Sequence, residues 1–583
     1  MSSTLAAQSD MGRPVVGKAA ALRRVGSSLR QDPLRAAFIL VLLLVLVALI
    51  VYPLALLLGY SFHTEDGGFG FGQFAELVFD DEILGAAATS FWFMLDVSIG
   101  CLLIGVPLAW LEARTNIPCK RLIRGGAAIA FIIPSFVNVI AWIFLLAPNS
   151  GYINQVLVTY FHLSEPPFDI FSFGGLVFIE TAHLFPIVFF AVSAALANVD
   201  SSHEQAARIL GAGRLRTLMT VTLPLVSPAI VSSVVLCMLD ALSSFGAPAA
   251  IGTMANFSVL STEIYQLLTF PPHLSLAAAL SVPIAVYTLI LLWVQQRYLQ
   301  KNRFTTLTGK ASAGDTVEMG AWRYPLASAV LLAVCCLSLL PMFALVALSL
   351  LNAFGNDLTM SNLVLDHYGA VFDRSFTVLP DVQNSLVLAV AAATLCVFIG
   401  MLLAWVVERL DFPGRGILVG IVSVAFGIPS IILGVGVMLG YVGVLYGTLA
   451  IILIAYVARH VPIAFVYVRS LIKQLSPELE EAARVSGAGW ARTLKDIAFP
   501  ILRPGAFVAW LLIFSLCLRE QPMSAILTQS GTGVMSTAVL QFIEDGSIEV
   551  AAAIAVVIVV VSVTCLGIAG FLRARYGIRS RSH

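Results

Sequence analysis

Twelve apolar runs of about 20 residues or more constrain this chain more than any other feature. They fall at about 36–60, 86–112, 125–147, 172–197, 228–250 and 275–297, and again at about 325–351, 384–408, 416–442, 446–470, 505–528 and 550–572. A run of this length can cross the hydrocarbon core of a bilayer as a helix. In lipid no water satisfies the backbone N–H and C=O groups, so a crossing segment must be a helix or a strand of a closed barrel. These runs are too long and too uniformly apolar for barrel strands, which alternate over about 10 residues. The chain reads as an all-α polytopic membrane protein of about 12 transmembrane helices, with membrane lipid as its surroundings. Composition agrees. Only 11% of the 583 residues are charged and the mean hydropathy is +0.94, where a soluble domain carries about a quarter charged residues. A formal net charge of zero excludes a strongly basic nucleic-acid binder. The run at 36–60 follows a polar, basic start and has no small-residue cleavage site, so it reads as a retained span and not a signal peptide.

Lys and Arg set the orientation. Arg23, Arg24, Arg30 and Arg35 precede the first run, and Arg114, Lys120, Arg121 and Arg124 lie between the second and third. Arg297, Lys301, Arg303 and Lys310 follow the sixth, and Arg573, Arg575, Arg579 and Arg581 close the chain. The alternate loops are acidic, with Glu65, Asp66, Glu76, Asp80, Asp81 and Glu82 early and Glu544, Asp545 and Glu549 late. The positive-inside rule then puts both termini in the cytoplasm. The reading divides the chain into an N-terminal tail (1–35), a first repeat (36–299), a linker (300–322), a second repeat (323–575) and a C-terminal tail (576–583).

The division into repeats rests on residues. EQAARILGAGRLRTLMTVTLPLVSP begins at Glu204, and EEAARVSGAGWARTLKDIAFPILRP begins 276 residues later at Glu480. PLAWLEARTNIP, from Pro107, matches LLAWVVERLDFP, from Leu402, at an offset of 295, and the same offset joins Pro134 to Pro429 in two IPS triplets. The offset then falls from 295 to 276, so the first half carries 19 more residues, assigned to the segment near 148–171. Both halves start inside and run in the same order, which makes them parallel repeats about an axis along the membrane normal. The two polar stretches each read as helix, turn, helix. Ser201 and Glu204 have capping-box spacing, and Ser476 before Pro477 fits an N-cap with proline at the first helical position. The paired alanines leave a low-relief face, and the GAG triplet permits a sharp turn. An exposed helix–turn–helix of this kind suits a groove on another protein.

The stretch EAARVSGAGW…IAFP resembles the EAA signature of permease subunits of binding-protein-dependent ABC importers. The first copy departs from it at Gln205, which stands where the second has Glu481. In that family the loop is the coupling helix that docks on the ATPase subunit. The resemblance therefore implies an ATPase-coupling role for Glu204, Ala206, Ala207, Arg208, Gly211 and Gly213, and for Glu480, Glu481, Ala482, Ala483, Arg484, Gly487 and Gly489. It implies two copies of a cytoplasmic ATPase, an extracytoplasmic solute-binding protein, and a place in a bacterial inner membrane. The fused layout is similar to ferric-iron-type permeases, which makes ferric iron the first expectation for the solute, ahead of phosphonate, thiamine or polyamine. A different class, an ion-coupled secondary transporter, is the runner-up, and a membrane scaffold comes third.

No catalytic site is expected in this chain. LTGKAS around Lys310 lacks both the upstream glycine and the Ser or Thr directly after Lys that a nucleotide-binding loop needs. No cofactor is expected here, ATP belonging to the partner ATPase. The eight cysteines show no metal-ligand spacing, and most lie in apolar runs as small buried residues, so no metal site is expected. Several polar groups fall inside the apolar runs: Asp96, Glu180 with His183, Asp240, Arg459 with His460, and Arg519 with Glu520. Charges at the bilayer centre cost about 2.5–3.5 kcal/mol on insertion scales, so they face a partner or a wet cavity. Glu180, His183, Asp240, Arg519 and Glu520 are candidate pathway or gate residues; the plainer reading is interhelical glue. Glu180 and His183 share a helical face and can pair, whereas Arg519 and Glu520 point about 100° apart. Pro186, which aligns with Pro462, suggests a kink in both halves.

Overall fold

The computed structural model describes residues 33–64, 68–199, 201–269, 271–301, 316–372, 378–410, 412 and 414–575. Most of the N-terminal tail, all of the C-terminal tail and residues 302–315 of the linker lie outside the described residues. The described residues are helical almost throughout, with isolated bridges and no strands. Among the described residues ten helices are long and apolar enough to cross a bilayer, and counting each of two bent pairs as one span brings the number to 12.

In the first half these are α1 (Pro33–Tyr60), α2 (Asp81–Arg114), the pair α3 (Lys120–Ile132) and α4 (Ser135–Leu146), α5 (Phe173–Asn198), α7 (Leu218–Ser243) and α8 (Leu274–Lys301). A short helix, α6 (Ser201–Ile209), lies between α5 and α7. In the second half they are α9 (Gly320–Leu350), α10 (Val378–Arg409), the pair α11 (Arg415–Gly427) and α12 (Ser430–Leu445), α13 (Leu449–Ile472), α15 (Leu494–Leu518) and α16 (Ile548–Arg575). The counterpart of α6 is α14 (Pro477–Val485).

The runs at 125–147 and 416–442 are not straight spans. They bend by 103° between α3 and α4 and by 113° between α11 and α12. The cause lies in the IPS triplets. A residue before proline is driven out of the helical region, and Ile133 and Ile428 take ψ of 121° and 132°. Proline then caps a new helix beginning at Ser135 or Ser430. The helices expected at 228–250 and 505–528 also stop early, at Ser243 and Leu518, and separate short helices follow at Gly246–Ala255 and Pro522–Leu527. α5 and α13 run on through Pro186 and Pro462 as single helices. Three π turns, Val47–Val51, Leu218–Thr222 and Leu494–Ala498, each end two residues before a proline. The wider turn makes room where the proline ring would otherwise strike the carbonyl four residues back.

Each half lends its first helix to the other. α1 packs on α12 and on α8, while α9 packs on α3, α4 and α16. Tyr441 Oη donates to Ala48 O at 2.8 Å across this seam. Glycine permits the approach: a Cβ on Gly436 would lie 2.9 Å from Pro53 O, and one on Gly126 only 2.4 Å from Val334 Cγ1. α4 is buried at every position from Phe136 to Leu146, as is α12 from Ser430 to Leu439. Apart from Asn138, also buried, these stretches are apolar or small all round, and a helix with no polar face to offer goes inside. The 19 extra residues of the first half carry the helix Tyr152–Phe161, held by Asn154, whose Nδ2 donates to Leu146 O, Ala147 O and Phe168 O. Buried cysteines are Cys101, Cys237, Cys396 and Cys517; Cys335 and Cys336 lie in an apolar run yet are exposed.

The two-fold relation extends to single bonds. Ser90 Oγ accepts from Leu260 N at 2.8 Å and Ser385 Oγ accepts from Met535 N at 2.7 Å. Ser261 Oγ donates to Ser244 O at 2.6 Å, and Ser536 Oγ to Glu520 O at 2.7 Å.

Candidate functional site: two surface loops and a cavity between the halves

The first site is the pair of repeated loops. α6 ends in a turn whose Gly211 has φ +85°, and α14 in one whose Gly487 has φ +82°. Ala212 N donates to Ala207 O at 3.0 Å, and Ala488 N to Ala483 O at 3.0 Å. These are six-to-one Schellman bonds, with glycine in the left-handed position that a Cβ disfavours. The turns project apolar side chains: Ile209 is 86% exposed, Leu210 87% and Val485 91%. Gln205, Ala206, Arg208 and Gly213 are exposed beside them, as are Glu481, Ala482 and Gly489 in the second loop. Ala207 is half-buried and Ala483 buried, and the Arg484 side chain lies outside the described residues.

Glu204 and Glu480 face the other way and are buried. The Ser201 side chain, the other partner of the expected capping box, lies outside the described residues. Glu204 Oε1 accepts from Thr222 Oγ1 at 2.7 Å and lies 3.5 Å from Arg114 Nη2. Glu480 Oε1 accepts from Arg409 Nε at 2.6 Å. At the start of α14, Ser476 Oγ accepts from Glu478 N at 3.3 Å, as an N-cap should. Arg114, Arg409 and Thr222 are absent from the sequence-based candidates. The signal for the arginines was present in the paired PLAWLEAR and LLAWVVER strings, read there only as markers of the repeat.

The second site is a cavity of about 560 Å³ between the halves. Glu180, His183 and Asp240 line it from the first half, and Arg459, His460, Arg519 and Glu520 from the second. All five candidate pathway residues thus meet at one place. Asp96 is half-buried and does not line it. Glu180 and His183 do not pair. His183 Nδ1 is 3.4 Å from Ala130 O, and its ring stacks on Phe131. Glu180 is 2% exposed and Glu520 8%, and among the described residues Glu180 Oε2 and Glu520 Oε1 have no hydrogen-bond partner. Arg519 crosses between halves: its Nη1 donates to Phe131 O and Ile132 O at 3.3 Å each. Arg459 Nη1 donates to Ile428 O at 2.9 Å. Both arginines therefore satisfy carbonyls that the bends at Pro134 and Pro429 leave without a helical partner. The offset of 276 maps Glu180 to Tyr456 and His183 to Arg459, so the cavity is two-fold in frame and not in charge. Among the described residues no group of three or more His, Cys, Asp or Glu side chains could hold a metal ion.

A two-fold helical bundle with a cavity lined by ionisable residues between its halves and one projecting loop per half is the frame of a membrane permease. The chain belongs to the family of binding-protein-dependent transport system inner membrane components, whose pattern matches residues 102–303 and 396–577, one copy in each half and more than half of the chain in all. It is similar to the ferric transport system permease protein FbpB of Actinobacillus pleuropneumoniae, 24% identical over 534 residues, which cover 90% of this chain and 76% of that protein. It is similar also to the putative ferric transport system permease protein FbpB 1 of Haemophilus influenzae, 25% identical over 85% of this chain and 78% of that one. The putative 2-aminoethylphosphonate transport system permease protein PhnU of Salmonella typhimurium is 30% identical over 216 residues, 37% of this chain and 75% of its own length. The chain is the permease component of an ABC importer.

Proposed function

We propose that this permease passes ferric iron inward between its halves, driven by two ATPase copies docked on the loops around Gly211 and Gly487. The observation that carries the docking is the form of the loops. Each projects an apolar turn into solvent while its first glutamate is rooted in the membrane-spanning helices. An extracytoplasmic binding protein delivers the solute, and loop movement tilts the halves between outward-facing and inward-facing states. The ferric relatives, similar over most of this chain, support iron. The phosphonate relative covers little more than a third of it and supports the runner-up solute less. Both termini and both loops lie in the cytoplasm of a bacterium with an inner membrane, on the Lys and Arg distribution.

Two experiments test this. In a background without native cysteines, single cysteines at 148–171 or 354–380 are expected to react with an impermeant maleimide from outside. Cysteines at 200–225 or 476–500 are expected to need a permeant one, and external labelling of either loop overturns the orientation. For the solute, loss of the gene is expected to impair growth when ferric iron is limiting, and haem supplied by another route should restore it. Unchanged growth on limiting iron, with lost growth on 2-aminoethylphosphonate, transfers the assignment to phosphonate.

A further inference from the structure

We propose that Arg114 and Arg409 are the joints through which movement of the two loops enters the membrane-spanning helices, and that the second-half joint is the stiffer. This rests on the reading that the loops carry the ATPases.

Arg409 is the last residue of α10. Its Nε donates to Glu480 Oε1 at 2.6 Å, and its Nη2 donates to Ile472 O at 3.0 Å and Leu475 O at 2.9 Å. Ile472 is the last residue of α13, and Glu480 lies in the first turn of α14. One half-buried guanidinium therefore holds the ends of two membrane helices and the start of the loop helix together. The planar fork of arginine suits such a three-way joint, and lysine, a single point charge, does not. The carbonyl side matters because α13 carries Arg459 and His460, which line the cavity. From Ile472 to His460 is 12 residues, about 18 Å along a helix. A displacement of Glu480 is thus handed to the helix that shapes the cavity, with no mobile loop between.

The first half repeats the design. Arg114 is the last residue of α2, and its Nη2 reaches Val199 O at 3.4 Å and Glu204 Oε1 at 3.5 Å. Arg114 and Arg409 are 295 apart, while Val199 and Leu475, like Glu204 and Glu480, are 276 apart. Two of the three contacts, to the glutamate and to the carbonyl five residues before it, recur across halves whose other charges differ, so the arrangement is not a chance of packing. The quality differs. Glu204 shares Oε1 with the Thr222 hydroxyl at 2.7 Å, and among the described residues Arg114 Nε has no partner. The position matching Thr222 is Ala498, and Glu480 takes the shorter, charge-assisted bond from its arginine.

The test uses the whole complex of permease, ATPase and binding protein in proteoliposomes. With Arg409→Gln, the ATPase is expected to stay bound and basal ATP hydrolysis to persist. Stimulation by the loaded binding protein is expected to fall about tenfold, and uptake with it. Arg114→Gln is expected to lower stimulation only about threefold. Lysine at 409 should not rescue, because one ammonium cannot serve the carboxylate and both carbonyls. Should Arg409→Gln fail to accumulate, Glu480→Ala removes the acceptor of Arg409 Nε, breaks the same joint from the loop side and leaves both carbonyl bonds; full stimulation of that variant overturns the proposal. Equal losses from Arg114→Gln and Arg409→Gln overturn the difference in stiffness. A wild-type chain that retains no ATPase sinks the docking reading and the joints with it. A wild-type chain that retains it, with Arg409→Gln fully stimulated, sinks the joints alone.

Discussion

Replacing Gly487 with valine is expected to lower coupled uptake sharply while the protein still accumulates in the membrane. Gly487 has φ +82°, and a Cβ there would meet nothing within 4 Å. The substitution therefore creates no clash, and its whole cost is conformational. A β-branched residue in the left-handed region is strained by about 1–3 kcal/mol. The turn relieves that strain by leaving φ > 0, which breaks the bond from Ala488 N to Ala483 O and re-aims Val485 and its neighbours. The loop lies outside the bilayer core, so insertion of the helices is untouched. Gly211, at φ +85° and equally free of neighbours, should respond in the same way, and the double variant should be worse than either. The measurements are membrane level, uptake, and ATP hydrolysis with and without binding protein. Normal uptake by the Gly211→Val, Gly487→Val protein at normal membrane level would sink the coupling assignment.

Glu180→Leu is expected to separate stability from transport. Glu180 is buried in α5, lines the cavity, and has one carboxylate oxygen without a partner among the described residues. A charged residue at the centre of a membrane helix costs about 2.5–3.5 kcal/mol on insertion scales. Leucine removes that cost at similar volume, so the variant should accumulate at least as well and resist heat in detergent at least as well. Uptake should nevertheless fall about tenfold, because a buried polar group retained against its own cost is retained for what passes it. Glu180→Gln keeps the shape and the polarity and should lie between the two. If Glu180 is interhelical glue, heat resistance and uptake will fall together in Glu180→Leu; that result, or undiminished uptake, removes it from the pathway.

Much of the architecture was legible in residues taken alone. The helices follow from run length and from the rule that a backbone in lipid must satisfy itself. The repeat follows from two strings at one offset, and the tight turns at Gly211 and Gly487 from the GAG triplets. The bends were legible in principle. The residue before Pro134 and Pro429 is restricted by local sterics, yet an apolar window passes straight across it, and the IPS triplets served only to align the halves.

What only the tertiary structure decided is which faces meet. Nothing in the order of the helices says that α1 packs on α12 and α9 on α4, because apolar faces are interchangeable in lipid and close packing chooses among them. Glu180 and His183 are close in sequence and do not bond, since Ala130 O, at the bend of another helix, lies against the imidazole. Arg519 spans the two halves, and Arg409 finds Glu480, 71 residues away, at the meeting of three helix ends. The sequence by itself determined the apolar spans, their repetition and the turn glycines, because these depend on solvent and on local backbone sterics. Tertiary structure decided the exchange of first helices, the charges of the cavity and the arginine joints, because each depends on side chains brought together from distant parts of the chain.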